Sequence, residues 1–351
     1  VSADALLPPR SPRSPWQLLY GAALAARRRR RAARAERAPA PVVSVGNLHW
    51  GGGGKTPLVV ALARHFGEAG HRVAILSRGY RRASRGALVV SRGSGPELEV
   101  AAAGDEPYEM ATELPGVVVV VGERRMEAAR LAAAFAPAPD LYLLDDGFSH
   151  VALARDVDLL VFPAEDPFAG GRLLPSGRLR EPLAAARHAD AVVLTGAGAA
   201  GADAGRRLAA ALGSHGFAGE GFASATVTAP PRLLSGDVEL APGTPVAAVA
   251  AIARPRPFFA AARASGATVV AEMAFPDHHP YPEADLRAIE GRARAAGAAV
   301  VLATGKDRAK LEGRLEMPLA VLAIAARPEP AFWTWLDGRL GRAARPLETR
   351  E

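Results

Sequence analysis

Lys55 and Thr56 follow four consecutive glycines, Gly51, Gly52, Gly53 and Gly54, and precede a helical pattern from Leu58 to Phe66. Ahead of the glycines, Val42-Val43-Ser44-Val45 is a β-rich apolar run, too short for a helix and stopped by Gly46. Strand, glycine-rich turn, Lys-Thr and helix are the parts of a phosphate-binding loop. Glycines let backbone N–H groups approach phosphate oxygens closely, and the helix N-terminus adds a positive partial charge. In that role Lys55 neutralises the β- and γ-phosphates and the Thr56 hydroxyl ligates Mg²⁺. The strict spacing pattern fails, because its first glycine position holds His49. A flexible glycine loop before an ordinary helix is the plain alternative.

Three other clusters could join such chemistry. Asp145-Asp146 follows the apolar run Leu141 to Leu144, which sets two carboxylates at a strand end where Mg²⁺ bound to phosphates would sit. Asp105 opens a helix after Gly104, either as an N-cap or as a base accepting the proton of an attacking hydroxyl. Phe275-Pro276-Asp277-His278-His279-Pro280 carries two imidazoles and a carboxylate. Adjacent histidines on an extended segment point in opposite directions, which favours one His paired with a carboxylate over a two-His metal site. Thr304-Gly305-Lys306-Asp307 is a further polar strand end, to which no nucleobase role is assigned.

The elements that must position these residues alternate strand and helix. Strands are expected at Arg72–Ser77, Leu88–Ser91, Val117–Val121, Leu141–Leu144, Val157–Phe162 and Ala191–Thr195, the last closing the repeating pattern. The uninterrupted β-branched run at 117–121 is typical of a strand buried on both faces of a parallel sheet. Pro163 to Pro182 is a long Gly/Pro/Arg loop, a length that usually marks function. This reads as an α/β fold, a P-loop NTPase-like doubly wound parallel sheet with ligands at the carboxyl ends of its strands. From about 220 to 245 short strands broken by Pro230, Pro231 and Pro242 suggest a linker. Strands at Pro245–Ile252, Thr268–Met273, Val300–Ala303 and Leu319–Ala325 then imply a second, smaller α/β lobe, and Pro330–Leu340 a closing helix. The expected division is an N-terminal segment 1–40, a core 41–225, a linker 226–245, a small lobe 246–327 and a C-terminal helix and tail 328–351.

The 351 residues include 49% hydrophobic ones, enough for a sizeable core, and no cysteine, which excludes disulfides, thiolate metal sites and a Cys nucleophile. A formal net charge of +7 favours an anionic partner. Residues 1–15 are Pro-rich and expected to be loosely ordered. Trp16 to Ala26 is apolar and is followed by five arginines, Arg27 to Arg31. The basic block lies on the wrong side for a secretory signal, and eleven residues are too few to span a bilayer. A helix lying in the headgroup region of an anionic membrane fits the pattern. A helix packed on the protein with a solvated Arg face is the alternative. Nucleic acid is not expected as a partner, since no aromatic-interleaved motif accompanies the arginines, and no obligate protein partner is indicated.

Taken together, VGNLHWGGGGKTP (45–57), SRGY (77–80), GDEP (104–107), LDDGFSH (144–150), GRLLPSGRLREP (171–182), FPDHH (275–279) and TGKD (304–307) resemble the tetraacyldisaccharide 4'-kinase family of lipid A synthesis. The pieces occur in order from Val45 to Asp307, and the combination is far more specific than any one of them. The resemblance implies transfer of the ATP γ-phosphoryl to the 4'-hydroxyl of an acylated glucosamine disaccharide 1-phosphate, giving lipid IVA. It also implies work at the cytoplasmic face of the bacterial inner membrane, as a peripheral or monotopic protein. ATP and Mg²⁺ are the implied cofactors and the acylated disaccharide lipid the implied partner. Asp105 and His278 match the family's base and its His partner, and Asp145 and Asp146 its Mg²⁺-associated carboxylates. Arg78, Tyr80, Arg180 and Glu181 are assigned to substrate binding. Three positions depart from the family's usual pattern: Gly53 stands where Thr is usual, Ser149 where Gln is usual and Gly305 where an acidic residue is common. A membrane-bound partition-type ATPase is the rival enzyme class, but it places a lysine just before the glycine pair, where this chain has Trp50. A nucleotide-dependent scaffold is the non-enzymatic rival.

Overall fold

The computed structural model describes residues 15–198 and 201–343. The Pro-rich start up to residue 14, expected to be loosely ordered, and the expected tail from 344 lie outside them. The first helix, α1 (Pro15–Ala32), is longer than the apolar run and takes in all five arginines. The large lobe then alternates β1 (Val42–Gly46), α2 (Lys55–Glu68), β2 (Val73–Ser77), β3 (Leu88–Ser91), α3 (Val100–Ala103), α4 (Asp105–Glu113), β4 (Val118–Val121), α5 (Arg125–Ala133), β5 (Leu141–Asp145), β6 (Val157–Pro163), β7 (Ala191–Thr195), α6 (Gly201–Gly213) and β8 (Glu220–Thr228). The smaller lobe holds β9 (Arg232–Leu233), β10 (Val238–Glu239), β11 (Pro245–Ala250), α7 (Pro255–Ala264), β12 (Thr268–Ala274), α8 (Glu283–Ala295), β13 (Val300–Thr304), α9 (Gly305–Leu311) and β14 (Leu319–Leu322). The chain returns to the large sheet as β15 (Ile324–Pro328) and ends in α10 (Pro330–Ala343).

Strands β1, β2, β5, β6 and β7 are buried at every residue, which is why their sequences run apolar without alternation. Their sheet has the order β15-β8-β7-β6-β1-β5-β2-β4-β3. All neighbours are parallel except β3 with β4 and β15 with β8. β1 pairs with β5 on one side and β6 on the other, so the winding reverses there. Its carboxyl end is the switch point where such sheets bind ligands. The register Val45↔Asp145 sets the second carboxylate cluster abreast of the glycine loop. The second sheet has the order β10-β9-β14-β13-β11-β12, with β11 to β14 parallel.

Two element expectations change, and the expected closing helix is placed. The region from 220 opens with a nine-residue strand, β8, which pairs with β7, so Ala191–Thr195 is not the last strand of the repeat. The single strand expected at Leu319–Ala325 is divided at Ala323, its first part in the small sheet and its second paired with β8. The reason is edge protection: β8 would otherwise expose a long row of unpaired backbone groups. The closing helix expected at Pro330–Leu340 is present as α10 and packs on the large lobe, where Phe332 and Leu336 are fully buried and Phe332 meets Phe222 at 5.5 Å between ring centres.

Candidate active site between the two lobes

The loop from β1 to α2 is held in shape from three sides. Gly54 caps α2 at φ 81°, left-handed backbone that a side chain would strain, and a Cβ there would lie 2.9 Å from the Thr195 hydroxyl oxygen. That hydroxyl donates to the Gly53 carbonyl at 2.9 Å, so β7 braces the loop from beneath. Asn47 Nδ2 donates to the Gly51 carbonyl at 3.3 Å, and Arg180 donates to Asn47 Oδ1. With its N–H groups kept and its shape fixed from outside, the loop does not need a side chain at Gly53.

Asp145 and Asp146 leave β5 in different directions. Asp145 is buried, with Oδ2 accepting from Ser77 at 2.8 Å and Oδ1 without a partner. Burial, with Glu106 and Asp146 nearby, pushes its carboxyl up to about 7. Asp146 takes left-handed backbone at φ 49° and turns toward the glycine loop. Arg180 grips both of its oxygens, at 2.9 and 2.8 Å, and Lys55 Nζ lies 3.5 Å from Oδ1. Burial alone would raise its pKa, but Lys55 and Arg180 hold it well below the usual carboxylate range. Arg125 closes the back of this cluster. Burial draws its guanidinium down to about 10 against the pull of Asp145 and Asp146, and it donates to the Gly122 carbonyl.

Across the cleft the small lobe supplies His278, at φ 65°, whose Nδ1 is 2.9 Å from Asp105 Oδ2. Lys310 of α9 donates to the same oxygen, and no bond engages Oδ1 among the described residues. Lys306, one turn earlier on α9, reaches Asp277 at 3.3 Å, His278 Nε2 at 3.4 Å and Glu106 at 3.6 Å. His279 points the other way, bonding Asp285 at 2.6 Å and stacking on Phe275. Tyr80 packs 5.4 Å from the His278 ring and 6.5 Å from Trp50 of the glycine loop. Those two half-open rings line the path from loop to Asp105–His278 pair. Arg78 is exposed just past β2, and Glu181 turns away from the cleft to Arg28 and Ser149.

A cation-braced phosphate loop facing a carboxylate–imidazole pair is the arrangement of a kinase that phosphorylates a hydroxyl. Comparison with known proteins decides which. The family described as Tetraacyldisaccharide-1-P 4'-kinase matches residues 12–341. The chain belongs to this family. A tetraacyldisaccharide 4'-kinase of Anaeromyxobacter sp. (strain K) is 45% identical over 322 residues, covering 89% of this chain and 85% of the relative. One of Geobacter sulfurreducens is 40% identical over 294 residues, covering 83% and 80%. The crystal structure of LpxK from Aquifex aeolicus in complex with ATP is similar with a TM-score of 0.72 at 31% identity, covering 93% of this chain and 97% of that one. Membership in this kinase family sets aside the partition-type ATPase and the scaffold.

Among the residues that brace this site, the sequence reading missed Lys310, Asn47 and Thr195. Lys310 had a legible signal: it stands four residues after Lys306, on the same face of a helix that follows a strand end. Asn47 and Thr195 had none, because their importance comes from what the fold brings beside them. The departures at 149 and 305 also gain a local meaning. The Ser149 hydroxyl bonds Glu181, and a Cβ at Gly305 would collide with Glu109 Oε1.

Burial alone would raise the pKa of Asp105, but hydrogen bonds from His278 and Lys310 hold it below the usual carboxylate range. Its folded value therefore lies below the unfolded one of about 3.9. The stability it contributes is present above the unfolded value and is lost as pH falls through the folded one. Lys310→Met removes one of the two donors, so the acidic limb of the kinase's kcat profile should move to higher pH. An unmoved acidic limb in a variant that folds normally would separate Lys310 from the ionisation of Asp105.

Proposed function

We propose that this kinase transfers the γ-phosphoryl group of ATP to the 4'-hydroxyl of a tetraacylated glucosamine disaccharide 1-phosphate, giving lipid IVA, at an anionic membrane surface on the cytoplasmic side. The observation that carries the assignment of roles is the Asp105–His278 contact made across the cleft. Both small-lobe donors crowd onto Asp105 Oδ2, which leaves Oδ1 to accept the proton of the 4'-hydroxyl as it attacks. His278 and Lys310 keep the carboxylate ionised and aimed. The N–H groups of Gly51 to Gly54 and the Lys55 ammonium bind the β- and γ-phosphates. Arg180 keeps Asp146 against Lys55 rather than leaving it free.

The oxygen donors present also fit Mg²⁺. Asp145 Oδ1 is buried without a partner and the Thr56 hydroxyl lies in the first turn of α2, whereas both oxygens of Asp146 are already bonded. No group of three or more metal-ligating His, Asp or Glu occurs among the described residues. That suits an ion that keeps several waters and binds mainly to phosphates. Thr56 and Asp145 are the residues that would hold Mg²⁺, with Asp146 acting through Lys55 and Arg180; the ion would supply positive charge against that developing on the phosphates. Arg78 and Tyr80 contact the sugar acceptor from the loop after β2.

Membrane attachment rests on α1. Trp16 and Leu19 are 56% and 66% exposed, and Arg27, Arg29, Arg30 and Arg31 all face outward. No helix among the described residues is long and apolar enough to cross a membrane. The test of the reaction is transfer of labelled phosphate from ATP to the acylated disaccharide, followed by thin-layer separation. ATP hydrolysis without a phosphorylated acceptor would overturn the assignment. Deleting residues 1–37 should move the protein from the membrane to the soluble fraction and weaken activity on vesicle-embedded acceptor. Each arginine near an anionic surface contributes about 1 kcal/mol, so high salt should reproduce part of that loss. Unchanged sedimentation of the truncated protein would place the anchor elsewhere.

A further inference from the structure

Within the arginine block of α1, Arg28 behaves unlike its neighbours. It continues a half-buried stripe with Tyr20 and Leu24, one side chain per turn, on the face of the helix turned toward the protein. Its side chain is only 11% exposed. Nη1 donates to the Phe148 carbonyl at 2.9 Å, the guanidinium lies 4.2 Å over the Phe148 ring, and Glu181 pairs with it at 3.4 Å. Both partners adjoin the transfer site through their chain neighbours. Phe148 is two residues beyond Asp146, and its backbone sits so close to β1 that a Cβ on Gly46 would lie 2.7 Å from its nitrogen. Glu181 is the neighbour of Arg180, which holds Asp146 and Asn47, and it also accepts from Ser149. Arg28 thus closes a ring of contacts from α1 through Phe148, Ser149, Glu181 and Arg180 to Asp146.

We propose that Arg28 is a positioning residue, through which the seating of the N-terminal helix sets the geometry of the Asp146–Arg180 pair in the phosphoryl-transfer site. A half-buried guanidinium is costly unless paired, and here it has one carbonyl, one ring face and one carboxylate as partners. Burial draws its pKa down and Glu181 opposes that fall. Without Arg28, Glu181 loses its nearest cation outside the site and becomes free to compete with Asp146 for Arg180. From Trp16 to Arg28 the helix extends about 18 Å at 1.5 Å per residue, enough to put its exposed aromatic end at a bilayer while Arg28 touches the loop. α1 is therefore an anchor at one end and a brace at the other. Loss of the helix should cost turnover even where membrane targeting no longer matters.

The test uses the full chain with acceptor dispersed in detergent micelles, so that recruitment to a bilayer does not limit the rate. Arg28→Ala should lower kcat about tenfold, with KM for ATP, vesicle sedimentation and the thermal midpoint near those of the unmodified protein. Arg28→Lys should recover only part of kcat, because an ammonium keeps the charge but not the planar stack over Phe148. Arg28→Ala and Glu181→Gln should be less than multiplicative in combination. The inference is overturned if kcat stays within twofold of the unmodified protein, or if it falls only in step with vesicle binding or thermal stability. Should Arg28→Ala fail to fold, Arg28→Lys carries the same comparison, and full kcat in it overturns the proposal. The inference rests on Asp146 belonging to the transfer site, so Asp146→Ala is measured beside it. An active Asp146→Ala removes that site reading and the inference with it; an inactive one with unaffected Arg28→Ala removes the inference alone.

Discussion

Lys55→Ala should fold normally and lose phosphoryl transfer by about 10³-fold, equivalent to about 4 kcal/mol of transition-state stabilisation. Phosphoryl transfer asks little covalent chemistry of a protein, so positioned charge supplies most of the acceleration. Lys55 stands at the first position of α2, behind the glycine loop, with its ammonium 3.5 Å from Asp146. There it adds to the partial charge of the helix terminus, and no other side chain of the loop Gly51 to Thr56 is cationic. The fold should tolerate the change because Asp146 is half-exposed and keeps its paired bonds to Arg180. The loss should fall mainly on kcat, since the charge on the γ-phosphoryl oxygens is redistributed as the bond to the leaving oxygen breaks. Single-turnover rates with circular dichroism as the folding control would measure it. Near-normal turnover in a folded variant would remove Lys55 from the mechanism.

Asp105→Ala and His278→Ala should each reduce kcat by about 10²- to 10⁴-fold, the usual range for a general base, with modest effects on ATP binding. The double variant should be little worse than the poorer single one. A sugar hydroxyl does not ionise at neutral pH, so a carboxylate must orient it and receive its proton as the new bond forms. Asp105 and His278 lie 173 positions apart and meet at 2.9 Å only because α4 of one lobe faces the β12–α8 loop of the other. A base assembled from both lobes is complete only while the cleft holds that geometry, which would restrain ATP hydrolysis in the absence of acceptor. Residues acting as one unit give non-additive losses, and a double-mutant comparison of kcat reads this directly. Fully multiplicative losses would show that the two act separately.

Much of this was legible in the residues alone. The apolar runs at 73–76 and 117–121 and the β-rich run at 42–45 read as strands buried in a sheet, and the helical stretches between them fit parallel pairing. Gly51 to Thr56 carries its own chemistry, because backbone donors, a cation and a hydroxyl are local properties of a short segment. The ordered set of motifs from Val45 to Asp307 was enough to indicate the family. Other features belong to the tertiary structure. No periodicity reveals that Ile324–Pro328 leaves the small sheet to cover the β8 edge, since an apolar run reads the same in either sheet. No local pattern tells Asp145 from Asp146, which become a buried carboxylate with one unpaired oxygen and a carboxylate held by Arg180 and Lys55. Lys310 on Asp105 and Arg28 on Phe148 are contacts over 205 and 120 positions. Sequence determines which side chains can carry charge or accept a proton. Long-range packing decides which of them are desolvated together, and in this kinase that selects the working residues from a chain rich in arginine.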